Sequence, residues 1–360
     1  MRVTNVEITV VEVPQTAPLA PYRSRIRSSS TTRSAIVLVE TDEGLTGCGE
    51  HNVNFLEGVS AREMQHAAQA WLVGCDPLNI ALFHVKQPFE TRLKSGVEMA
   101  LWDIRGKAAG LPLSDLMGGV LRPEVEVAAC MGIAEYGRAR ELAAWYVEQG
   151  FGTLKTKAGA DMDEDLEMVR GIRDEVGDRL KLRIDPNCGY TREQSVELAR
   201  RLEPYALEYL EQPLPEAPIF DAAWLRLHTK TPIGLNESVT TPASVMEIIK
   251  QGAADFVLPD THIAGGLQPC IDIGRICEAE GLPCIMHCGH DLGPKTAAMV
   301  HVAAANAAYS LANDTTYYGL EDDVITERIP IVGGRIRVPA RPGLGVEIDP
   351  EKLVRYRVDC

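Results

Sequence analysis

The chain has no Cys-x-x-Cys pair. Its nine cysteines, at Cys48, Cys75, Cys130, Cys188, Cys270, Cys277, Cys284, Cys288 and Cys360, are scattered and odd in number. That pattern speaks against a disulfide framework or a zinc site and reads as reduced, buried thiols. No stretch approaches the 18 or so consecutive apolar residues of a membrane span, and the first residues carry no charged-then-apolar signal pattern. A cytoplasmic protein without a membrane partner is therefore expected. Positive charge is in short supply, with 36 Lys and Arg against 51 Asp and Glu, a formal net charge of −15. An acidic surface attracts neither nucleic acid nor an anionic bilayer. No Gly-x-Gly-x-x-Gly follows any apolar strand, so a nucleotide-binding open sheet has no support. What remains is an ordinary soluble composition, 45% hydrophobic and 24% charged. At 360 residues it is long enough for two units, or for one large barrel with an accessory piece.

Residues 1–50 alternate like an antiparallel meander, beginning with an exposed edge strand and turning at Thr41-Asp42-Glu43-Gly44. Between its strands, residues 20–33 carry Tyr22, Arg23, Arg25, Arg27 and Arg33. This segment reads either as a solvated loop or as a flap whose Tyr22 and Arg25 meet an anionic substrate. Residues 60–117 turn helical, with a stop at Gly110-Leu111-Pro112. Residues 1–123 thus form an α+β cap. From Glu124 the pattern becomes strand then helix, repeated about eight times to residue 325, which predicts a (β/α)8-type, TIM-like barrel. Residues 326–360 read as loops and short strands that run back to the cap.

The polar residues ending the barrel strands are Lys157, Asp185, Glu211, Glu237, Asp260, His287 and Asp314, spaced 23 to 28 residues apart. In a closed parallel barrel all of them emerge at the carboxyl-terminal face, where this architecture places its chemistry. Asp185, Glu211 and Glu237 come from neighbouring strands, and three carboxylates in one mouth repel unless a divalent cation neutralises them. Oxygen-only ligation favours Mg2+, with Mn2+ as the alternative. Lys155 and Lys157 share a strand face, and a lysine beside another ammonium and a bound metal is expected to favour its deprotonated, basic form. Asp260 and His287 end adjacent strands, so the carboxylate can orient the imidazole as an acid–base pair. His290 is the competing histidine, whereas His262 and Asp291 read as loop residues.

These motifs together resemble the enolase superfamily in its mandelate racemase subgroup: Lys155-x-Lys157, Asp185-x-Asn187, Glu211-Gln212-Pro213, Asn236-Glu237-Ser238, Leu258-Pro259-Asp260 with Gly265-Gly266, and His287. The cap run Glu98-Met99-Ala100-Leu101-Trp102-Asp103 is similar too, so the likeness covers nearly the whole chain. It implies that Asp185, Glu211 and Glu237 hold Mg2+, which binds a substrate carboxylate. Lys157, tuned by Lys155, would move the α-proton on one face, and His287 with Asp260 would serve the other. Asn187 would bind substrate or a metal water. Asp314, or Asn313 if the register slips by one, would fill the acidic position after the last strand. A lysine ends the sixth strand in the lactonising and dipeptide-epimerising branch, and Asp260 stands there instead.

The expected activity is Mg2+-dependent abstraction of the α-proton of a hydroxy carboxylate to an enediolate, followed by loss of water, as in an acid-sugar dehydratase. A racemase, epimerase or cycloisomerase on the same scaffold is the alternative, and a non-catalytic binding protein a remote one. The partner is a small carboxylate, and the likeness suggests a homo-oligomer between dimer and octamer. Specificity is expected near residues 22–25 and 51–56.

Overall fold

A computed structural model describes residues 1–54 and 60–358. Residues 55 and 56 of the expected specificity region lie outside that set. Val3–Pro14 pairs antiparallel with Thr31–Thr41, which pairs antiparallel with Thr46–Asn52 across a turn at Gly44. The first strand is an edge but not an exposed one, contrary to the sequence expectation: Val3, Val6, Val10, Val11 and Val13 are all buried. The helix Ala61–Leu72 packs against this strand, and so does the C-terminal helix Pro350–Tyr356. The backbone of Val358 donates to Val10 O at 2.9 Å.

Thr46–Asn52 lies directly on the helix Thr91–Ala109, and glycine makes that approach possible. A Cβ at Gly47 would stand 2.1 Å from Ala100 O, and one at Gly49 only 1.9 Å from Gly96 O. Helix Thr91–Ala109 is buried on nearly every side between Ser95 and Ile104, because the cap sheet covers one flank and the barrel the other.

The barrel strands follow one another as Glu124–Met131, Thr153–Lys157, Lys181–Asp185, Tyr209–Glu211, Ile233–Leu235 and Phe256–Val257, with Asn313–Thr315 on the far side of the first. Residues 284–287 close the ring. Ile285 N donates to Val257 O and His287 N to Pro259 O, while Asp314 N donates to Met286 O, each at 3.0 Å. The helices between strands lie outside, as parallel crossovers require. The last strand begins at Asn313 rather than near residue 308, since Tyr309 is committed to packing with its hydroxyl on Cys270 O at 2.7 Å. Tyr209, Leu258 and Ile285 fill the barrel interior.

Two acids of the cap fasten it to the barrel by the same device. A helix N-terminus offers unpaired N–H groups and a positive dipole end, which a carboxylate satisfies. Glu98 accepts from Leu267 N at 2.6 Å and Gln268 N at 2.9 Å, at the start of Leu267–Glu280. Glu50 accepts from Leu292 N at 2.8 Å and Lys295 N at 3.0 Å, at the start of Gly293–Ala305. Among the described residues no helix is long and apolar enough to cross a membrane.

Candidate active site

Alternation along Thr153–Lys157 turns Lys155 and Lys157 to the same side, into the barrel mouth. Lys155 Nζ donates to Glu211 Oε1 at 2.6 Å and Asp314 Oδ2 at 2.9 Å; Lys157 Nζ donates to Asp185 Oδ2 at 2.5 Å. Below them Arg183, fully buried, donates to Asp314 Oδ1 at 3.2 Å and Glu208 Oε2 at 2.6 Å. Charges of alternating sign therefore stack along the barrel interior, each paired with the next. Burial alone would lower both lysines, but Asp185 for Lys157, and Asp314 with Glu211 for Lys155, more than offset it. Paired with these acids, both ammonium groups are held above their ordinary range. The physical reason is that the acids meant for a cation are here paired with the lysines.

Asp185, Glu211 and Glu237 do converge at the mouth, though not equally. The tightest group of ligand atoms is one each from Asp185, Glu211 and His287, all within 4.8 Å of one another. Glu237 follows the strand Ile233–Leu235 and joins through Asn187, whose Nδ2 donates to Glu237 Oε1 at 3.0 Å and Asp185 Oδ2 at 3.2 Å. Burial, then the neighbouring Asp185, raises both Glu211 and Glu237, while the two lysines hold Asp185 low despite its burial. Glu211 Oε2 and Glu237 Oε2 are buried without a hydrogen-bond partner. Orphaned carboxylate oxygens are costly, and two of them facing a third acid fit a hard divalent cation. His287 is the less suitable third ligand for such an ion because its Nδ1 is committed to Asp260 and imidazole prefers softer metals. Asn187, Cys188, Gln212 and His290 all have positive φ, so left-handed backbone clusters around this mouth.

On the opposite wall His287 Nδ1 meets Asp260 Oδ2 at 2.9 Å. Burial and the nearby Lys155 lower the imidazole to about 4, against the pull of Asp260. His290 reaches the same cavity, but its ring sits edge-on to Tyr22 at 4.3 Å and its Nδ1 meets Gln15 Nε2 at 3.1 Å. His262 and Asp291 are not simple loop residues. His262 Nδ1 lies 2.8 Å from Asp260 Oδ1, and Asp291 Oδ1 accepts from the buried Lys295 Nζ at 2.7 Å. Lys295, His262 and Glu50 escaped sequence reading because none ends a strand.

A cavity of about 370 Å3 opens above these groups, lined by Tyr22, Arg25, Lys155, Lys157, Asn187, Glu237 and His287, and by Arg27, Arg92 and His262. Asp185, Glu211, Asp260 and Asp314 lie beneath that lining, each fully buried. Asp314, proposed from sequence as a substrate ligand, faces Lys155 and Arg183 instead of the cavity. Its neighbour Asn313 is a ladder residue, accepting from Met286 N at 2.7 Å. Arg25 Nη2 donates to Asn187 O at 3.3 Å, joining the flap to the metal side of the mouth. Arg27 and Arg92, which the sequence did not single out for this cavity, are tied to Asn54 O and Asn52 O. His51 is fully buried inside the cap, beside Gly96.

Comparison with known proteins matches residues 5–118 to the mandelate racemase / muconate lactonizing enzyme N-terminal domain and residues 138–352 to the enolase C-terminal domain-like family. A hydrophobic dipeptide epimerase of Enterococcus faecalis is 30% identical over 86% of this chain and 88% of its own length. An arabinonate dehydratase of Saccharolobus solfataricus is 34% identical over 73% of this chain and 71% of its own. The crystal structure of the Enterococcus faecalis dipeptide epimerase, in complex with Mg and the dipeptide L-Leu-L-Tyr, superposes with a TM-score of 0.88. It is 27% identical and covers 96% of this chain and 100% of that one. The relatives thus include both lyases and isomerases.

Proposed function

Because the chain belongs to the enolase superfamily, in its mandelate racemase subgroup, we propose that it abstracts the α-proton of a hydroxy carboxylate and then eliminates water, as an acid-sugar dehydratase. The observation that carries this reading is the placement of Lys157 and His287 on facing walls of one cavity, above acids with orphaned oxygens. Asp185, Glu211 and Glu237 would hold Mg2+, whose charge would stabilise the electron density that the substrate carboxylate gains as the proton leaves. Lys157, having given its ammonium proton to solvent through the cavity, takes the α-proton on its neutral amine at Nζ. Lys155 stays protonated against Glu211 and Asp314, keeping positive charge beside the reacting carboxylate. As the bond to the β-hydroxyl breaks, His287, raised from its depressed value by the anionic substrate beside it and steadied by Asp260, gives a proton taken up on Nε2 to the departing oxygen, which leaves as water. The enol left behind ketonises to a 2-keto acid.

Hydroxyl and amide groups of Ser24, Ser29, Thr31, Asn187, Asn236 and Thr316 line the cavity together with Arg25, Arg27 and Arg92. The arginines and hydroxyls support a polyhydroxy anion, while Tyr22, Ile26 and Ile263 on the same wall can take an apolar group. Epimerisation is the second reading, favoured by the likeness to the Enterococcus faecalis enzyme; there His287 would act as a second base. Incubation with Mg2+ and a library of aldonic and aldaric acids in D2O separates the two. A 2-keto acid carrying deuterium at the carbon that lost its hydroxyl is expected, α-deuterium in recovered acid without keto acid would establish the isomerase instead, and neither outcome with any acid would overturn both.

A further inference from the structure

Asp260 is gripped from behind as well as from the cavity. Its Oδ2 has His287 alone, but its Oδ1 lies 2.8 Å from Lys295 Nζ and 2.8 Å from His262 Nδ1 and accepts the backbone N–H of His262 at 3.1 Å, while Lys295 Nζ also stands 3.1 Å from His262 Nδ1. Lys295 is only 2% exposed, and its second acid, Asp291, stands one helical turn earlier. That placement runs against local preference, because an ammonium in the first turn of a helix opposes the dipole. Burying it is costly as well, unless its charge and hydrogen bonds are fully met. Here two buried carboxylates meet them.

The backbone of the same residue is fixed from the other side. Lys295 N–H donates to Glu50 Oε2 at 3.0 Å, and Glu50 Oε1 accepts from Leu292 N at 2.8 Å and Ser34 Oγ at 2.9 Å. Glu50 belongs to the cap, so a continuous path of hydrogen bonds runs from the cap sheet through Lys295 to Asp260 and His287. His262, in the same cluster, lies against Gly289, where a Cβ would come within 2.6 Å of its Cε1.

We infer that Lys295 is a positioning residue for the Asp260–His287 pair: it occupies Oδ1 so that Oδ2 alone faces the imidazole, and its seat on Glu50 registers that pair to the closed cap. The inference rests on the assignment of Lys157 and His287 to opposite faces of the substrate. A carboxylate held at both oxygens cannot rotate, and an acid–base group displaced by even an ångström loses much of its effect.

The test uses Lys295→Met, which keeps the length and removes the charge. Its crystal structure should show His287 Nδ1 moved beyond hydrogen-bond reach of Asp260 while Lys157 stays on Asp185. A pair still in place would overturn the inference whatever the substrate proves to be. In D2O, with the acids that exchange in the wild-type protein, the His287-dependent step should slow about 30-fold, with Lys157-dependent exchange and KM within about 3-fold. Equal loss on both faces would mean a merely structural ion pair and would overturn the inference. If Lys295→Met does not fold, Glu50→Gln takes its place, with about 5-fold selective slowing expected and equal loss on both faces again overturning it. Failure of the wild-type protein to exchange any acid would instead overturn the functional assignment, and the variant's crystal structure would still decide the role of Lys295.

Discussion

On the lysine wall, two bases stand two residues apart on one strand and are held by acids that end the next strands. On the histidine wall, one imidazole is held by an acid from the neighbouring strand, a lysine from the following helix and a carboxylate from the cap. The first wall is intrinsic to the barrel, since parallel strands deliver their ends to one face. The second exists only once the cap is closed on the barrel. Two acid–base groups acting on one carbon can therefore depend on different parts of the chain, and a change far from the cavity can weaken one without touching the other.

The largest effect is expected between the walls, where both depend on the same charge. Glu237→Ala should abolish metal-dependent turnover, by 1,000-fold or more on the order-of-magnitude scale of metal catalysis. Mg2+ titration by calorimetry alongside the exchange assay checks it, and full activity without bound metal would remove Glu237 from the site. Next, Lys157→Ala should suppress exchange in one stereochemical series by about 100- to 10,000-fold and His287→Asn in the other. Identical profiles for the two variants would erase the distinction between the walls. Arg183→Met reaches the lysine wall from below: stranding buried Asp314 should cost about 3–5 kcal/mol in urea unfolding. A loss under about 1 kcal/mol would mean that Lys155 alone satisfies Asp314.

The smallest effect is expected further along the helix that carries Lys295. There His301 is buried as a neutral ring, accepting from Ser114 N at Nδ1, 3.2 Å, with Nε2 3.1 Å from Leu344 O. Burial lowers it to about 4 from an ordinary 6.5. A depressed histidine contributes stability that is complete above its unfolded value and is lost as pH falls toward the folded one. The contribution of His301 to stability should thus drop by about 2 kcal/mol between pH 7.5 and 5, so the loss should be smaller by that amount in His301→Gln. An identical pH slope in both proteins would place the titration elsewhere.

Lys155, Lys157, Asp185, Glu211 and Glu237 were legible in the sequence because a barrel repeats, so even spacing of strand ends maps onto convergence in space. Asp260 and His287 were legible for the same reason. Lys295, His262 and Glu50 were not, as they lie on a helix start, the one-turn helix Thr261–Ala264 and a cap strand that meet only in the folded chain. The pairing of the lysines was not legible, because spacing places the acids near them without saying which acid pairs with which base. Likewise the first cap strand looked exposed from alternation alone, which carries no information about a helix arriving from residues 350–356.

The stack of Arg183, Asp314, Lys155 and Glu211 has a consequence for isotope traffic. It packs buried ion pairs beneath Lys157, so a proton taken by Lys157 reaches bulk water through the mouth that the lysine lines. With substrate seated in that mouth, the captured hydrogen should return to carbon more often than it washes out.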